Sequence, residues 1–243
     1  MQIEAFIIHL ARATQRRPQV EHLRAALPMA SHVVDAVDGQ ALCEGEIAAV
    51  YKRHIHRPRY PFELRRGEIG CFLSHRKAWR EIVERGVDAG LIIEDDVEVN
   101  MAVLDRLLEV VRGHFDKAAY LRFPQKLNEH GLVVALGDRA TIIEPRQVGL
   151  GMVMQLVGRD AAAALLEATG QFDRPVDTSL QLRLSGKVQI LTSYPVCVRE
   201  ISREVGGSTI QKKSKPLREI AEREVKRAWY RTLLRMNKRA SGL

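Results

Sequence analysis

The chain has 243 residues, 46% of them apolar and 28% charged, and a formal net charge of +8. That is an ordinary globular composition, long enough to bury a full core, and no apolar stretch approaches the length needed to cross a bilayer. The charge excess does not point to nucleic acid: residues 211–243 hold eleven Lys or Arg against three Glu, which leaves residues 1–210 balanced at 27 of each sign. A basic face on a whole domain would suggest a duplex-binding surface, whereas a basic tail on a neutral core suggests an anionic membrane surface or an acidic partner.

Residues 3–10 predict a first strand, and the N-terminus lacks a signal-peptide pattern. Thr14 to Leu27 predicts a short helix closed by Pro28, Val33 to Val37 a second strand, and residues 44–51 another helix. Lys52 to Pro61 is a basic, proline-containing loop. Arg66 to Arg85 predicts a long helix with an apolar stripe at Ile69, Phe72, Leu73, Trp79 and Val83. Arg76 lies inside that stripe. It either pairs with an anion of the fold, Glu94 or Asp95, or reaches a substrate phosphate.

Gly86 and Gly90 bracket the turn into a strand at 91–93, and Asn100 to His114 is again helical. Tyr120 to Phe123 and Thr141 to Glu144 suggest strands, with Gly131 and Gly137 as turns between them. Met152 to Val157 reads as a strand, followed by a helix from Ala161 to Ala168 with Asp160 as its N-cap. Val188 to Leu191 and Val196 to Val198 complete the strands. This alternation predicts an α/β fold with a mostly parallel central sheet covered by helices. From Pro216 to about Lys238 the tail predicts a helix whose interrupted apolar face is Leu217, Ile220, Ala221, Val225, Ala228 and Leu234, with Trp229 and Tyr230 at its border. Docking on the core and lying on an anionic leaflet are both open to it. Cys43, Cys71 and Cys197 are odd in number and lack metal spacing, so they read as reduced thiols of a cytoplasmic protein.

The chemistry concentrates in Leu91-Ile92-Ile93-Glu94-Asp95-Asp96, an apolar run that ends in three acids. Adjacent carboxylates repel one another, and a fold that keeps them at a strand end gives them a cation. Hard ions such as Mg²⁺ or Mn²⁺ bind one or two carboxylates together with substrate phosphates, which points to a nucleotide-type substrate held by its diphosphate. His54 and His56 sit in the basic, proline-containing loop, which argues against a metal role for them.

Together with Gly67-Glu68-Ile69-Gly70-Cys71-Phe72-Leu73-Ser74-His75-Arg76-Lys77-Ala78-Trp79 upstream, this acidic segment resembles glycosyltransferase family 25, whose bacterial members build lipopolysaccharide and lipooligosaccharide. The stretch from Phe6 to Arg17, Val34-Asp35-Ala36-Val37-Asp38-Gly39 and Arg174-Pro175-Val176-Asp177 fit the same family in the same order, so the likeness spans roughly residues 3 to 210.

The resemblance implies a GT-A nucleotide-sugar fold over residues 1–210, with residues 211–243 as an appended basic helix. It implies Asp96 and Glu94 as ligands of Mn²⁺ or Mg²⁺, and Asp95 near the sugar or ribose. Ser74, His75 and Arg76 would lie beside the donor, with Arg12 near its diphosphate. A lone histidine such as His75 is usually a hydrogen-bonded structural residue, the same reading covers Ser74, and Ser74 has no base motif that would make it a nucleophile. Asp177 is the candidate base of an inverting displacement, and it would also suit a helix cap at Thr178. Arg16 and Arg17 read as surface arginines. His9 and Ala11 stand where the family usually has Asn and Asp, which blurs which nucleotide is read. Ser208-Thr209-Ile210 resembles a segment that closes over the donor.

The implied activity is transfer of a sugar, galactose from UDP-galactose by family habit, to a lipopolysaccharide or related glycan acceptor. It would take place in the cytoplasm, at the inner face of the inner membrane. Two rivals are a phosphoryl-transfer hydrolase using the same acids and a non-catalytic membrane adaptor that keeps the fold.

Overall fold

The computed structural model describes residues 1–184, 186–207 and 217–240. Its frame is a sheet of eight strands. These are β1 (Ile3–His9), β2 (Ser31–Asp35), β3 (Ala89–Glu94), β5 (Ala119–Arg122), β6 (Gly131–Gly137), β7 (Ala140–Pro145), β8 (Met154–Gly158) and β9 (Gln189–Tyr194). A separate two-stranded ribbon pairs β4 (Val97–Val99) with β10 (Val198–Glu200). The helices are α1 (Arg17–Ala26), α2 (Glu44–Val50), α3 (Arg66–Arg85), α4 (Met101–His114), α5 (Arg159–Ala168), α6 (Val176–Leu180) and α7 (Leu217–Ala240).

The sheet order is β2-β1-β3-β8-β5-β9-β7-β6. Parallel pairing joins β1 to β2 and β3, and β5 to β9. Antiparallel pairing joins β8 to both β3 and β5, and β7 to both β9 and β6. The α/β architecture expected from the sequence is present, but the sheet is mixed rather than mostly parallel. Helix-connected β1, β2 and β3 run parallel, whereas β8 enters antiparallel to both β3 and β5, and β6 and β7 form a hairpin. Gly131 and Gly137 do not mark turns; they are the two ends of β6. That strand lies at the sheet edge and most of it faces solvent, so it lacks the apolar alternation that would have announced it.

Both faces of the sheet are buried. Ala5, Ile7, Leu91 and Ile93 point toward α1 and α4, where Leu23, Leu104, Leu107 and Leu108 pack. The alternate residues Phe6, Ile8 and Ile92 point the other way, against Ile69, Phe72, Trp79 and Ile82 of α3 and Ala161, Ala162 and Leu165 of α5. α3 keeps the predicted bounds, with Gly86 closing it in the left-handed conformation at φ 67°. Gly158, not Asp160, is the N-cap of α5, and Asp160 sits in its first turn.

Helix α7 runs where the tail was expected to be helical, and among its described side chains Tyr230 and Leu234 are buried. Tyr230 stacks edge-on with Tyr60, and its hydroxyl accepts a hydrogen bond of 2.6 Å from the fully buried Arg174. Of the expected apolar face, Leu234 and the bordering Tyr230 dock, while Val225, Ala228 and Trp229 are exposed, as is Met236. The side chains of Leu217, Ile220 and Ala221, together with Pro216, the 210/211 boundary and Ser208-Thr209-Ile210, lie outside the described residues.

Candidate active site

The carboxyl ends of β1 and β3 open into a cleft of about 1270 Å³, also lined by the start of α3, the loops at 124–130 and 146–153, α6 and one face of α7. Parallel strands present their carboxyl ends at such crevices, so the acids after β3 belong here by topology. The same wall depends on a close approach of backbones. A Cβ on Gly70 would lie 2.6 Å from the carbonyl oxygen of Val37, so only glycine lets α3 pass this tightly over the segment after β2.

The three acids are not equivalent. Asp95 is buried, and both its oxygens are engaged within the protein: Oδ2 lies 2.6 Å from Nδ1 of His9, and Oδ1 accepts from Arg16 at 2.6 Å. Asp95 also lines the cleft, and within the protein these two contacts brace it. Arg16 also lies 3.0 Å from Oδ2 of Asp96 and donates to the carbonyl of Gly207 at 2.7 Å. Reading Arg16 as a surface residue fails, because it is only 5% exposed; Arg17 is on the surface as expected. A signal for Arg16 was present. It precedes Val20, Leu23 and Leu27 at helical spacing, on the face that α1 buries.

Asp96 is left with a buried Oδ1 that has no hydrogen-bond partner. Burial, reinforced by the charge of Glu94 and opposed by Arg16, pushes its carboxyl up to about 7. Glu94 is the most exposed of the three, its side chain 28% accessible, and its Oε1 lies 3.5 Å from Nε2 of His75. A buried bare oxygen beside a second carboxylate fits an oxygen-seeking divalent ion. Glu94 and Asp96 are the residues that would hold it, whereas both oxygens of Asp95 already have partners in the protein. Glu200, from β10, lines the cleft close enough to add negative potential at Asp96.

Asp177 sits in the first turn of α6 and lines the same cleft. Its Oδ2 accepts from the Gly151 N–H at 3.0 Å, and its Oδ1 accepts from the Thr178 N–H at 2.6 Å. The expected cap at Thr178 is not formed, because α6 already begins at Val176 with Pro175 as its N-cap; Asp177 instead lies inside the first turn, where its carboxylate faces the cleft. Gly151 is itself held, because Arg122 donates to the carbonyls of Leu150 and Gly151 and pairs with the buried Glu129 at 2.6 Å. Sequence reasoning missed this bracing pair.

Ser74 bridges α3 to the segment after β2, donating to the Gly70 carbonyl at 2.7 Å and accepting from the Val37 N–H at 2.8 Å. His75 is fully buried at the cleft wall, its Nδ1 3.2 Å from the Gln155 amide. Arg12 lines the cleft and pairs with Asp38 at 2.6 Å. Arg76 does not join them. It turns toward α5, donating to the Leu166 carbonyl at 2.9 Å and to Thr169 Oγ1 at 2.6 Å, and so satisfies the end of that helix rather than a phosphate or an acid of β3. Cys71, without apparent metal spacing in the sequence, lies beside His75 and Glu94. Burial, with the charges of Glu94 and Asp177 acting in the same sense, pushes its thiol well above the ordinary range.

A profile of glycosyltransferase family 25 (LPS biosynthesis protein) matches residues 2–131. Over 112 residues the chain is 34% identical to procollagen galactosyltransferase 1 of Danio rerio, covering 45% of this chain and 18% of that protein. It is 37% identical over 116 residues to the inactive glycosyltransferase 25 family member 3 of Homo sapiens, covering 45% of this chain and 20% of that one. The chain spans about a fifth of the length of the curated relatives it matches. Among solved structures, a Drosophila β1,4-galactosyltransferase 7 mutant in complex with manganese, UDP-Gal and xylobiose aligns over 90% of this chain and 79% of its own at 12% identity, with a TM-score of 0.43. The profile match takes in more than half of the chain, including β1, the whole of α3 and the acidic end of β3, and the chain belongs to glycosyltransferase family 25.

Proposed function

We propose that this chain transfers a hexose, galactose from UDP-galactose, to a hydroxyl of a lipopolysaccharide or related glycan, with inversion and with the help of Mn²⁺ or Mg²⁺. The observation that carries the reading is the bare, buried Oδ1 of Asp96 beside Glu94, in the same cleft as a fixed carboxylate at Asp177. Galactose rests on the names of the relatives, and the lipopolysaccharide acceptor on the description of the family.

In this reading a divalent ion held by Glu94 and Asp96 supplies charge stabilisation for the departing diphosphate. Arg16 and His9 keep Asp95 fixed, so that the turn presents Glu94 and Asp96 to the cleft. Asp177, oriented by Gly151 and Thr178, takes the proton of the acceptor hydroxyl as that oxygen bonds to the anomeric carbon. The bond from the anomeric carbon to the diphosphate oxygen breaks on the opposite face. Lys126, Arg146 and Arg231 also line the cleft and favour anionic substrates over neutral ones. Exposed Val225, Trp229 and Met236 on the basic helix α7 support contact with an anionic leaflet, and with it a cytoplasmic site of action at the inner membrane face.

The test is calorimetry of UDP-galactose, UDP-glucose, UDP-N-acetylglucosamine and GDP-mannose, each with and without Mn²⁺. Metal-dependent binding of UDP-galactose, lost in Asp96→Ala and retained in Asp177→Asn without turnover, is the expected result. Equal binding with and without metal would overturn the metal assignment, and preference for another donor would overturn galactose.

A further inference from the structure

Residues four apart on a helix share one face, and on α3 this brings Cys71 and His75 to the same side, where they meet Glu94 at the end of β3. One ligand atom from each of the three lies within 4.8 Å of the others, and all three line the cleft. His75 is 0% exposed, yet its Nε2 has no hydrogen-bond partner. That bare nitrogen is 3.5 Å from Oε1 of Glu94. Two donors bound at about 2.0–2.1 Å to one tetrahedral zinc stand roughly 3.3–3.4 Å apart. The pair already has nearly that spacing.

The other side of the imidazole is also prepared. Nδ1 faces the Gln155 amide at 3.2 Å, and Oε1 of Gln155 is buried without a partner. A half-turn of that amide brings Oε1 to accept from Nδ1–H, which leaves the Nε2 lone pair directed at Cys71 and Glu94. This is the outer hydrogen bond by which metal-bound histidines are oriented. The donor set decides the ion. Thiolate sulfur and imidazole nitrogen suit Zn²⁺, while Mg²⁺ and Mn²⁺ prefer the oxygens of Glu94 and Asp96.

We propose that Cys71, His75 and Glu94 form a zinc-selective site in the wall of the cleft, with its fourth position open to solvent or ligand. Coordination forms a sulfur–zinc bond and releases the thiol proton to solvent. The site goes beyond sugar transfer and does not depend on it. It shares Glu94 with the proposed hard-cation site, and on that reading alone zinc here would take one carboxylate from Mn²⁺.

Cobalt titration of the full chain tests the site directly. One equivalent of Co²⁺ should give a sulfur-to-cobalt charge-transfer band that Zn²⁺ bleaches, that Cys71→Ser abolishes, and that Cys43→Ser and Asp96→Ala retain. The absence of the band in the wild type, or its survival in folded Cys71→Ser, would overturn the proposal. Alkylation of the wild type followed by mass spectrometry gives a second reading that needs no variant. Zinc should slow labelling of Cys71 at least tenfold while leaving the exposed Cys43 unchanged, and equal labelling of Cys71 with and without zinc would also overturn the site. Failure of UDP-galactose to bind leaves these readouts untouched, so the two readings fail separately.

Discussion

Asp96 and Glu129 are two carboxylates of equal burial, each 9% exposed and each beside an arginine, and both line one cleft. Glu129 has both oxygens matched, Oε1 with Arg122 at 2.6 Å and Oε2 with the Thr192 hydroxyl at 2.9 Å. Asp96 keeps one oxygen bare and stands against the charges of Glu94 and Asp95. A buried acid whose oxygens are all satisfied belongs to the scaffold, whereas one left short points to a missing ligand. The same burial thus accompanies a matched carboxylate at Glu129 and a bare oxygen at Asp96.

Substitutions can break that contrast. The largest effect is expected from Glu129→Ala, which strands the Arg122 guanidinium and should cost about 3–5 kcal/mol in urea unfolding. Asp96→Ala should instead lower turnover by about 10²–10³-fold without comparable loss of stability, measured as sugar transfer to a soluble acceptor. Arg76→Ala sharpens the boundary of the site. It should cost about 1.5–3 kcal/mol of stability through its lost bonds to α5, with donor affinity unchanged in calorimetry.

The sign of a pH effect separates the two acids further. Without metal, the folded-state Asp96 carboxyl titrates at about 7, against an ordinary value of 3.8. Between those values the unfolded chain is ionised there while the folded one is protonated, so this residue makes stability fall as pH rises through the window. Thermal melting of metal-free Asp96→Asn should therefore gain on the wild type from pH 5 to pH 8, and Mn²⁺ should restore the wild type alone. Smallest is Tyr230→Phe. It should cost about 1 kcal/mol in the same melts, since Arg174 keeps its bonds to Asp173 and to the carbonyls of His56 and Pro58.

Local signals were the legible ones. The apolar spacing and terminal glycine of α3 gave its bounds, and the acids after β3 and Asp177 were found where topology brings them to one cleft. What stayed hidden depends on distant partners. Arg76 sat in a stripe that suggested an anion, and only the packing of α5 on α3 offered it a helix end instead. His9, read as a departure that blurred nucleotide choice, turns out to hold Asp95 across the β1–β3 pairing. The spacing of Cys71 and His75 was visible on paper, but their third neighbour comes from another strand. Strand β4 is three residues long and pairs with β10 about a hundred positions later, beyond any local pattern.

The position of β8 has a consequence for how the chain can be divided. Residues 154–158 enter the sheet between β3 and β5, strands that precede them by tens of positions. A fragment ending at residue 131 would contain β3 and β5 but not the strand that joins them, and each would present an unsatisfied ladder of N–H and C=O groups. A cut at residue 131 would therefore divide the sheet between its paired strands rather than between two units.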